Sequence, residues 1–261
     1  MKKFTSASLI LFVVMLVSNQ CTGDKKMPVT TSSETAKALY DKGVKAMEDI
    51  YLVQFRNLIS EALKADPDFF MADYQMANYF LYMGNKKRFI EYANKAVNCK
   101  AALSKGELLL KDALLKLLEN QDADVTDIGR EIIKMYPDDA YAYWPLTTFQ
   151  SIINDTEGQI ATLKKAMTVA DNKGSIYNSL GYIYMNQGKY EDALNAFNNY
   201  IEVAPNLPNA YDSKGDYFMQ VKDYRNAYES YMKAHSLDST FSYQKAINAK
   251  GMADSLQTNE F

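Results

Sequence analysis

The chain has 261 residues, a formal net charge of −3, and 48% hydrophobic residues. This length and hydrophobic fraction are enough for a sizeable core in one or two domains. A slightly acidic chain without a basic stripe argues against nucleic acid as a partner. The single histidine, His235, excludes sites built from several histidines.

Residues 1–20 have the organisation of an export signal. Lys2 and Lys3 precede an apolar stretch from Ala7 to Val17, which is too short to span a bilayer. Cys21 follows, and this arrangement resembles the cleavage site of bacterial lipoproteins, with Gln20 where that pattern has a small residue. The resemblance implies a lipidated Cys21 that anchors an exported protein in the bacterial cell envelope, on the outer membrane. The alternative is an ordinary secretory signal.

Residues 21–35 are predicted to form a flexible tether. The stretch 22–34 reads TGDKKMPVTTSSE, which is polar and short of large apolar residues. Such a composition cannot bury a core and favours disorder. We expect this segment to space the folded part of the chain from the membrane.

From residue 36 onward the sequence repeats with a period near 34 residues. Pro67 and Pro137 are 70 residues apart, and Pro137 and Pro205 are 68 apart. The period predicts a repeat array over residues 36–241, with units at 36–69, 70–103, 104–139, 140–173, 174–207 and 208–241. Residues 242–261 are predicted to form a capping helix and tail, because a solenoid needs a terminal helix with one polar face. That face is assigned to Ser242, Gln244, Lys245, Asn248 and Lys250.

Residues 174–207 show the pattern of a unit most clearly. Apolar residues recur with helical spacing before and after a turn at residues 186–188, and Pro205 ends the second helix. The stretch resembles a tetratricopeptide repeat (TPR) at Tyr177, Leu180, Gly181, Tyr184, Gly188, Ala193, Phe197 and Pro205. The resemblance implies an all-α superhelical solenoid of about six helix–turn–helix repeats. It says little about function, because repeat folds serve many partners.

The same packing positions can be followed into the other units. They are Gly43, Ala62 and Pro67 in the first unit and Gly215, Ala227 and Tyr231 in the last. Two units depart from the pattern. In unit 104–139, Gly129 stands where an aromatic residue is expected. In unit 140–173, Pro145 falls inside the first helix, which must therefore start late or be kinked.

The sequence offers no catalytic centre. We find no phosphate-binding loop and no histidine pair for a metal, and Cys99 is expected to be a buried apolar residue. Acidic pairs such as Asp138 and Asp139 fall in turns, where aspartate caps helices. The prediction is a protein without enzymatic activity, cofactor or metal.

In a TPR superhelix the first helices of the units line a concave groove, which we take as the partner-binding surface. The residues predicted to face it are Tyr40, Tyr74, Asn78, Tyr82, Tyr141, Trp144, Asn178, Tyr182, Asn186, Asn209 and Asp212. Basic residues are missing from this set, which argues against a clamp for a peptide's terminal carboxylate. Aromatic rings and amides suit an extended peptide or a stacked sugar chain. The alternative for any one tyrosine is packing between repeats.

These observations predict a membrane-tethered scaffold that holds a protein or peptide partner in its groove. A second hypothesis from a different class is a module that binds glycans or small solutes. A purely structural spacer is the remaining alternative.

Overall fold

The computed structural model describes residues 26–258, and within this range every regular element is helical. Twelve α-helices form six hairpins, and a thirteenth helix follows. The helices are α1 (Glu34–Glu48), α2 (Leu52–Ala65), α3 (Phe70–Tyr82), α4 (Lys86–Val97), α5 (Lys105–Glu119), α6 (Thr126–Met135), α7 (Trp144–Ile152), α8 (Thr156–Val169), α9 (Gly174–Asn186), α10 (Tyr190–Val203), α11 (Pro208–Gln220), α12 (Tyr224–Leu237) and α13 (Tyr243–Thr258). The predicted all-α array of about six units with a terminal helix is confirmed.

The two helices of a hairpin cross closely where a residue lacks a bulky side chain. A Cβ atom added to Gly181 would lie 2.5 Å from the ring of Phe197, and one added to Gly215 would lie 2.4 Å from the ring of Tyr231. Phe197 is fully buried. The large residue of the second helix therefore occupies the space that the glycine of the first helix leaves free.

The turns inside the hairpins share one backbone feature. The residue before the second helix's cap has a positive φ in five hairpins, at Ile50 (62°), Gly84 (65°), Asn154 (58°), Gly188 (72°) and Lys222 (61°). This left-handed residue reverses the chain in a short connection and suits glycine or asparagine best. Ile50 is the unusual choice, because a β-branched residue is strained in this conformation.

The third and fourth units depart from the repeat pattern for a visible reason. A Cβ atom on Gly129 of α6 would lie 2.8 Å from the Cα atom of Leu146 in α7. An aromatic residue at Gly129 would therefore collide with the next unit's backbone. In the fourth unit a short 3-10 helix (Ala140–Tyr143) precedes α7, and Pro145 falls in the first turn of α7. The helix starts late and is not kinked, since proline is tolerated there.

The segment before α1 is bound to the array. The backbone N–H of Met27 donates to Asp139 (2.8 Å), the N–H and hydroxyl of Thr30 donate to Glu107 (2.8 and 2.6 Å), and the hydroxyl of Thr31 donates to Asp66. We call residues 27–31 the strap. Its three acceptors are Asp66 at the C-terminal cap of α2, Glu107 in the first turn of α5 and Asp139 at the N-terminal cap of the 3-10 helix.

The strap corrects part of the predicted tether. Residues 27–31 are not a free spacer, because two of their side chains also pack against the core. Met27 fills the space beside Gly106, where a Cβ atom would lie 2.7 Å from the Met27 sulfur, and Val29 packs on the same cluster. Helix α1 begins at Glu34, inside the range predicted as tether. Residues 21–25 lie outside the described residues.

We predict that Gly181→Ala destabilises the protein by about 1–3 kcal/mol, because the added methyl group must displace the Phe197 ring. Urea unfolding followed by far-UV circular dichroism measures the change. The matched control is Gly251→Ala in α13, where nothing lies within 4 Å of the added atom. That variant should be neutral or gain up to about 1 kcal/mol. Equal stability of the two variants would contradict the close crossing.

We predict that Glu107→Ala releases the strap. A hydrogen bond to a charged group contributes about 1.5–3 kcal/mol, so the Thr30 amide hydrogen should exchange on the order of 10–100-fold faster in the variant. Hydrogen exchange read by mass spectrometry on a peptide covering residues 27–33 measures this. Glu119→Ala, at the exposed end of the same helix, should leave the exchange rate unchanged. Unchanged exchange in both variants would mean that Glu107 does not hold the strap.

Candidate partner-binding surface

Four of the residues predicted to face the groove are buried, Asn178 among them, and packing partners can be named for the other three. Tyr40 and Tyr74 are 5% and 3% exposed, and their rings contact Phe69 and Phe70 respectively. Asn209 is 5% exposed, and its amide group donates to the Tyr200 and Ser213 hydroxyls. Tyr40 and Tyr74 therefore pack within their own units, and Asn209 binds the preceding repeat, so these three side chains present little surface to a partner in this conformation.

Other predicted groove residues are accessible. Tyr82 is 87% exposed at the end of α3, and Asn186 is exposed at the end of α9. Asn78 is half-buried. Tyr141 is 41% exposed, and its hydroxyl donates to a carboxylate oxygen of Glu48 at 2.8 Å. The structure therefore does not bring all the predicted residues together on one continuous surface.

A shared register does unite one group. Trp144, Asn178 and Asp212 follow one another at intervals of 34 residues, so they hold equivalent positions in α7, α9 and α11. Trp144 and Asp212 are half-buried, and Asn178 is 9% exposed. We call these three residues the inner column. They extend over three successive units and carry a ring, an amide and a carboxylate.

Asn178 is the least satisfied member of the inner column. Its side-chain carbonyl oxygen is buried and accepts no hydrogen bond. Buried polar atoms are nearly always partnered in native proteins, so an orphaned acceptor calls for an explanation. Because the oxygen has almost no exposed surface in this conformation, a bound molecule could donate to it only after neighbouring side chains move.

A polar network adjoins the C-terminal end of the inner column. Asp216 accepts hydrogen bonds from the hydroxyls of Tyr182 (2.8 Å) and Tyr231 (2.7 Å). The Lys245 ammonium group lies 2.8 Å from an oxygen of Asp212 and 2.9 Å from an oxygen of Asp216. Burial, and then the Asp216 carboxylate, raise the pKa of the Tyr182 phenol, which therefore stays protonated and donates.

Sequence reasoning missed this use of Lys245. It placed Lys245 on the polar, solvent-facing side of the terminal helix. In the structure the ammonium group instead reaches across to two carboxylates of α11. No spacing rule links α13 to α11, because their relative placement depends on how α12 packs between them. The carboxylates themselves follow the 34-residue period, since Asp216 is the counterpart of Tyr182.

Outside these clusters, α3 carries a buried acid with an unusual environment. Asp73 is 4% exposed, and one of its carboxyl oxygens has no hydrogen-bond partner. Burial raises its pKa to about 7, against the opposing effect of Lys95. Burying this carboxyl group costs stability, and we assign it no binding function. Its charged neighbours, Glu91 and Lys95, are both on α4.

We predict that Asp73 makes the protein less stable as the pH rises. The folded-state pKa of about 7 exceeds the ordinary value of 3.8. Between these values the folded chain keeps a proton that the unfolded chain gives up, so the free energy of unfolding falls across this window. At pH 8, the free energy of unfolding of the Asp73→Asn variant should be larger than that of the wild type by on the order of 2–4 kcal/mol. Near pH 4 this difference should vanish.

Urea unfolding at several pH values measures this effect. The exposed Asp171→Asn is the matched control and should follow the wild-type pH dependence. If Asp73→Asn also followed it, the carboxyl group would be charged in the folded state without cost.

Residues 26–258 contain neither a cluster of metal-binding side chains nor a membrane-spanning helix. Within them, no group of three or more histidine, cysteine or acidic side chains could hold a metal ion. No helix of this range is long and apolar enough to cross a membrane. Cys21, the predicted lipidation site, lies outside the described residues.

Comparison with known families identifies the repeats. The tetratricopeptide repeat family matches residues 175–207, and a second model of the same family matches residues 208–241. These ranges cover the α9–α10 and α11–α12 hairpins. Residues 175–241 are therefore two tetratricopeptide repeats, and the TPR fold of the array is one that supports protein–protein interaction scaffolds.

Individual relatives are distant. The uncharacterized protein ycf37 of Pyropia yezoensis is 27% identical over 128 residues, which are 47% of this chain and 71% of the relative. Among solved structures, the chain is similar to YrrB, a TPR protein with an unusual peptide-binding site (16% identity, 74% of this chain, 97% of that chain, TM-score 0.45). It is also similar to PilW, a type IV pilus biogenesis factor (17%, 78%, 94%, 0.46), and to a thermophilic TPR protein of Thermus thermophilus (15%, 85%, 99%, 0.47). At these identities and TM-scores the comparisons do not bear on the partner of this chain.

Proposed function

We propose that this protein is a non-enzymatic scaffold that holds an extended segment of a partner protein against the inner column. Trp144, Asn178 and Asp212 offer a ring, an amide and a carboxylate at equal spacing along the array. Aromatic rings supply a large rigid contact area with little loss of entropy, and amides can bind the backbone of any sequence. This combination suits recognition of main chain more than of one side chain.

The observation that carries the proposal is the unpartnered carbonyl oxygen of Asn178. An extended peptide presents backbone N–H groups along its length, and one of them would satisfy this acceptor. A hydrogen bond formed only in the complex favours binding, because the free protein bears the cost of the orphaned atom. A folded partner surface would offer fewer free backbone donors.

We further propose that Cys21 is lipidated and tethers the scaffold to a membrane in the bacterial cell envelope. The support for this part is the sequence around Cys21, which follows an apolar stretch of export-signal length. Cys21 lies six residues before the strap, so the connection can span at most about 20 Å. The array would therefore work close to the membrane surface.

Photo-crosslinking in cells of the source organism tests this function. A photo-reactive residue is placed at Trp144 in one strain and at Asn186 in another, and adducts are identified by mass spectrometry. The control is Asn198, which is also an exposed asparagine but lies on α10, the second helix of the same unit as Asn186. We expect one shared protein adduct from Trp144 and Asn186 and none from Asn198. In the same cells, Cys21→Ala should release the adduct from the membrane fraction.

Two outcomes would overturn the proposal. Adducts from Asn198 alone would place the working surface on the second helices. The second outcome combines two results: no protein adduct forms, and the purified protein binds immobilised glycans in a way that Trp144→Ala abolishes. The protein would then be a glycan-binding module and not a scaffold.

A further inference from the structure

The first hairpin contacts the far end of the array. Tyr51, in the α1–α2 turn, packs edge-on against Phe241, in the α12–α13 turn, with ring centroids 5.5 Å apart and 83° between the ring planes. The Asp238 carboxylate lies beside the Tyr51 hydroxyl. We call the Tyr51–Phe241 contact the clasp. A superhelix in which each unit touched only its neighbours would leave these turns apart.

A second contact shows how the ends meet. The hydroxyl of Tyr141, in the fourth unit, donates to Glu48 at the end of α1. Lys45 and Asp49 of the same helix end face Gly174 and the loop before α11 across a cleft. The C-terminal end of α1 therefore lies close to the segments where α7, α9 and α11 begin, so the first unit approaches the fourth, fifth and sixth.

The clasp is thinly packed. A cleft of about 650 Å³ is lined by both Tyr51 and Phe241, and the two side chains are only half-buried. Inside the first hairpin, by contrast, Phe55 and Ile59 are completely buried. Contacts with open space around few apolar atoms resemble transient interfaces and not a domain core.

Each side of the clasp is firmly held within its own end of the array. The backbone of Tyr51 donates to the Ala46 carbonyl oxygen. On the other side, the Ser242 hydroxyl donates to Asp212, and the Lys245 ammonium group bridges Asp212 and Asp216. His235 Nδ1 lies 3.1 Å from the Phe241 carbonyl oxygen. The clasp thus joins two well-ordered parts through a weak contact.

The larger cleft leads to the candidate partner-binding surface. Asp212, a member of the inner column, lines it together with Lys245, and the opposite wall is formed by α2 from Leu52 to Glu61. Helix α2 and the α1–α2 turn therefore restrict the approach to this end of the inner column. Separation of Tyr51 from Phe241 would widen the approach without unfolding any hairpin.

We propose that the clasp between Tyr51 and Phe241 opens reversibly and controls the access of an extended protein segment to the inner column. Closed, it keeps the first unit against the last and keeps α2 opposite Asp212 across the cleft. Open, it lets the first units swing away from the last, as the nearest-neighbour contacts of a repeat array allow. The part that concerns the partner rests on the proposed function, whereas the opening itself does not.

Pulsed electron paramagnetic resonance between two spin labels tests the opening. The labels are attached at Val53→Cys and Gln244→Cys, which are exposed on the two sides of the clasp, in a chain with Cys21→Ala and Cys99→Ala. Tyr51→Ala should shift the distance distribution to longer and broader values, and Phe241→Ala should have the same effect. Tyr190→Ala, which removes a partly exposed tyrosine remote from the clasp, is the matched control and should leave the distribution unchanged. Far-UV circular dichroism checks that the helices remain.

If both clasp variants kept the wild-type distances with their helices intact, the clasp would not be what holds the ends together. Photo-crosslinking from Trp144 in the Tyr51→Ala background then tests access, and we expect a higher yield of the partner adduct. An open Tyr51→Ala chain with an unchanged yield would overturn the control of access while the scaffold function stands. Loss of the adduct from every background would overturn the scaffold function while the opening stands.

Discussion

The close crossing of the two helices in the hairpins that carry Gly181 and Gly215 is the constraint on which the rest of the structure depends. Gly181 allows Phe197 to fill the space between α9 and α10, and Gly215 does the same for Tyr231 between α11 and α12. A side chain at either glycine would push the two helices apart and change the angle between successive units. Where the third unit lacks this arrangement, Gly129 instead lets α6 approach the backbone of α7. The array keeps its continuity by moving the close approach from within a unit to between units.

Carboxylates supply the connections that the repeat itself does not encode. Glu107 is completely buried and accepts two hydrogen bonds from Thr30, and Asp139 accepts one from Met27. At the other end, Asp212 and Asp216 receive Lys245. A buried carboxylate is costly without donors, so Glu107 and Asp139 require the strap to cover them, whereas the half-buried Asp212 and Asp216 are paired with Lys245. Hydrogen bonds and ion pairs to carboxylates therefore hold the strap and the terminal helix in place, whereas the hairpins between them are held by the close packing of side chains.

The TPR fold by itself carries little functional information, because it is a frame on which different surfaces are built. What distinguishes this chain is the inner column with its unpartnered Asn178 and the contact between the first and last units at the clasp. The two features are joined through Asp212, which belongs to the column and also lines the cleft beneath α2. A surface of this kind can be open or covered, depending on a contact that contributes little to the stability of either end.

The sequence by itself determined the helical hairpins, their number and the crossing residues, because a 34-residue period and helical spacing of apolar residues are local properties. It also predicted that Trp144, Asn178 and Asp212 share one face, since that follows from the same period. Only the tertiary structure decided that Tyr40 and Tyr74 are buried, that residues 27–31 are bound, and that Tyr51 meets Phe241. The physical reason is that the pitch of a superhelix is the sum of small rotations between successive units, and contacts between distant units depend on that sum. No local pattern records it, so the partners across the turns of the superhelix could be found only in the folded chain.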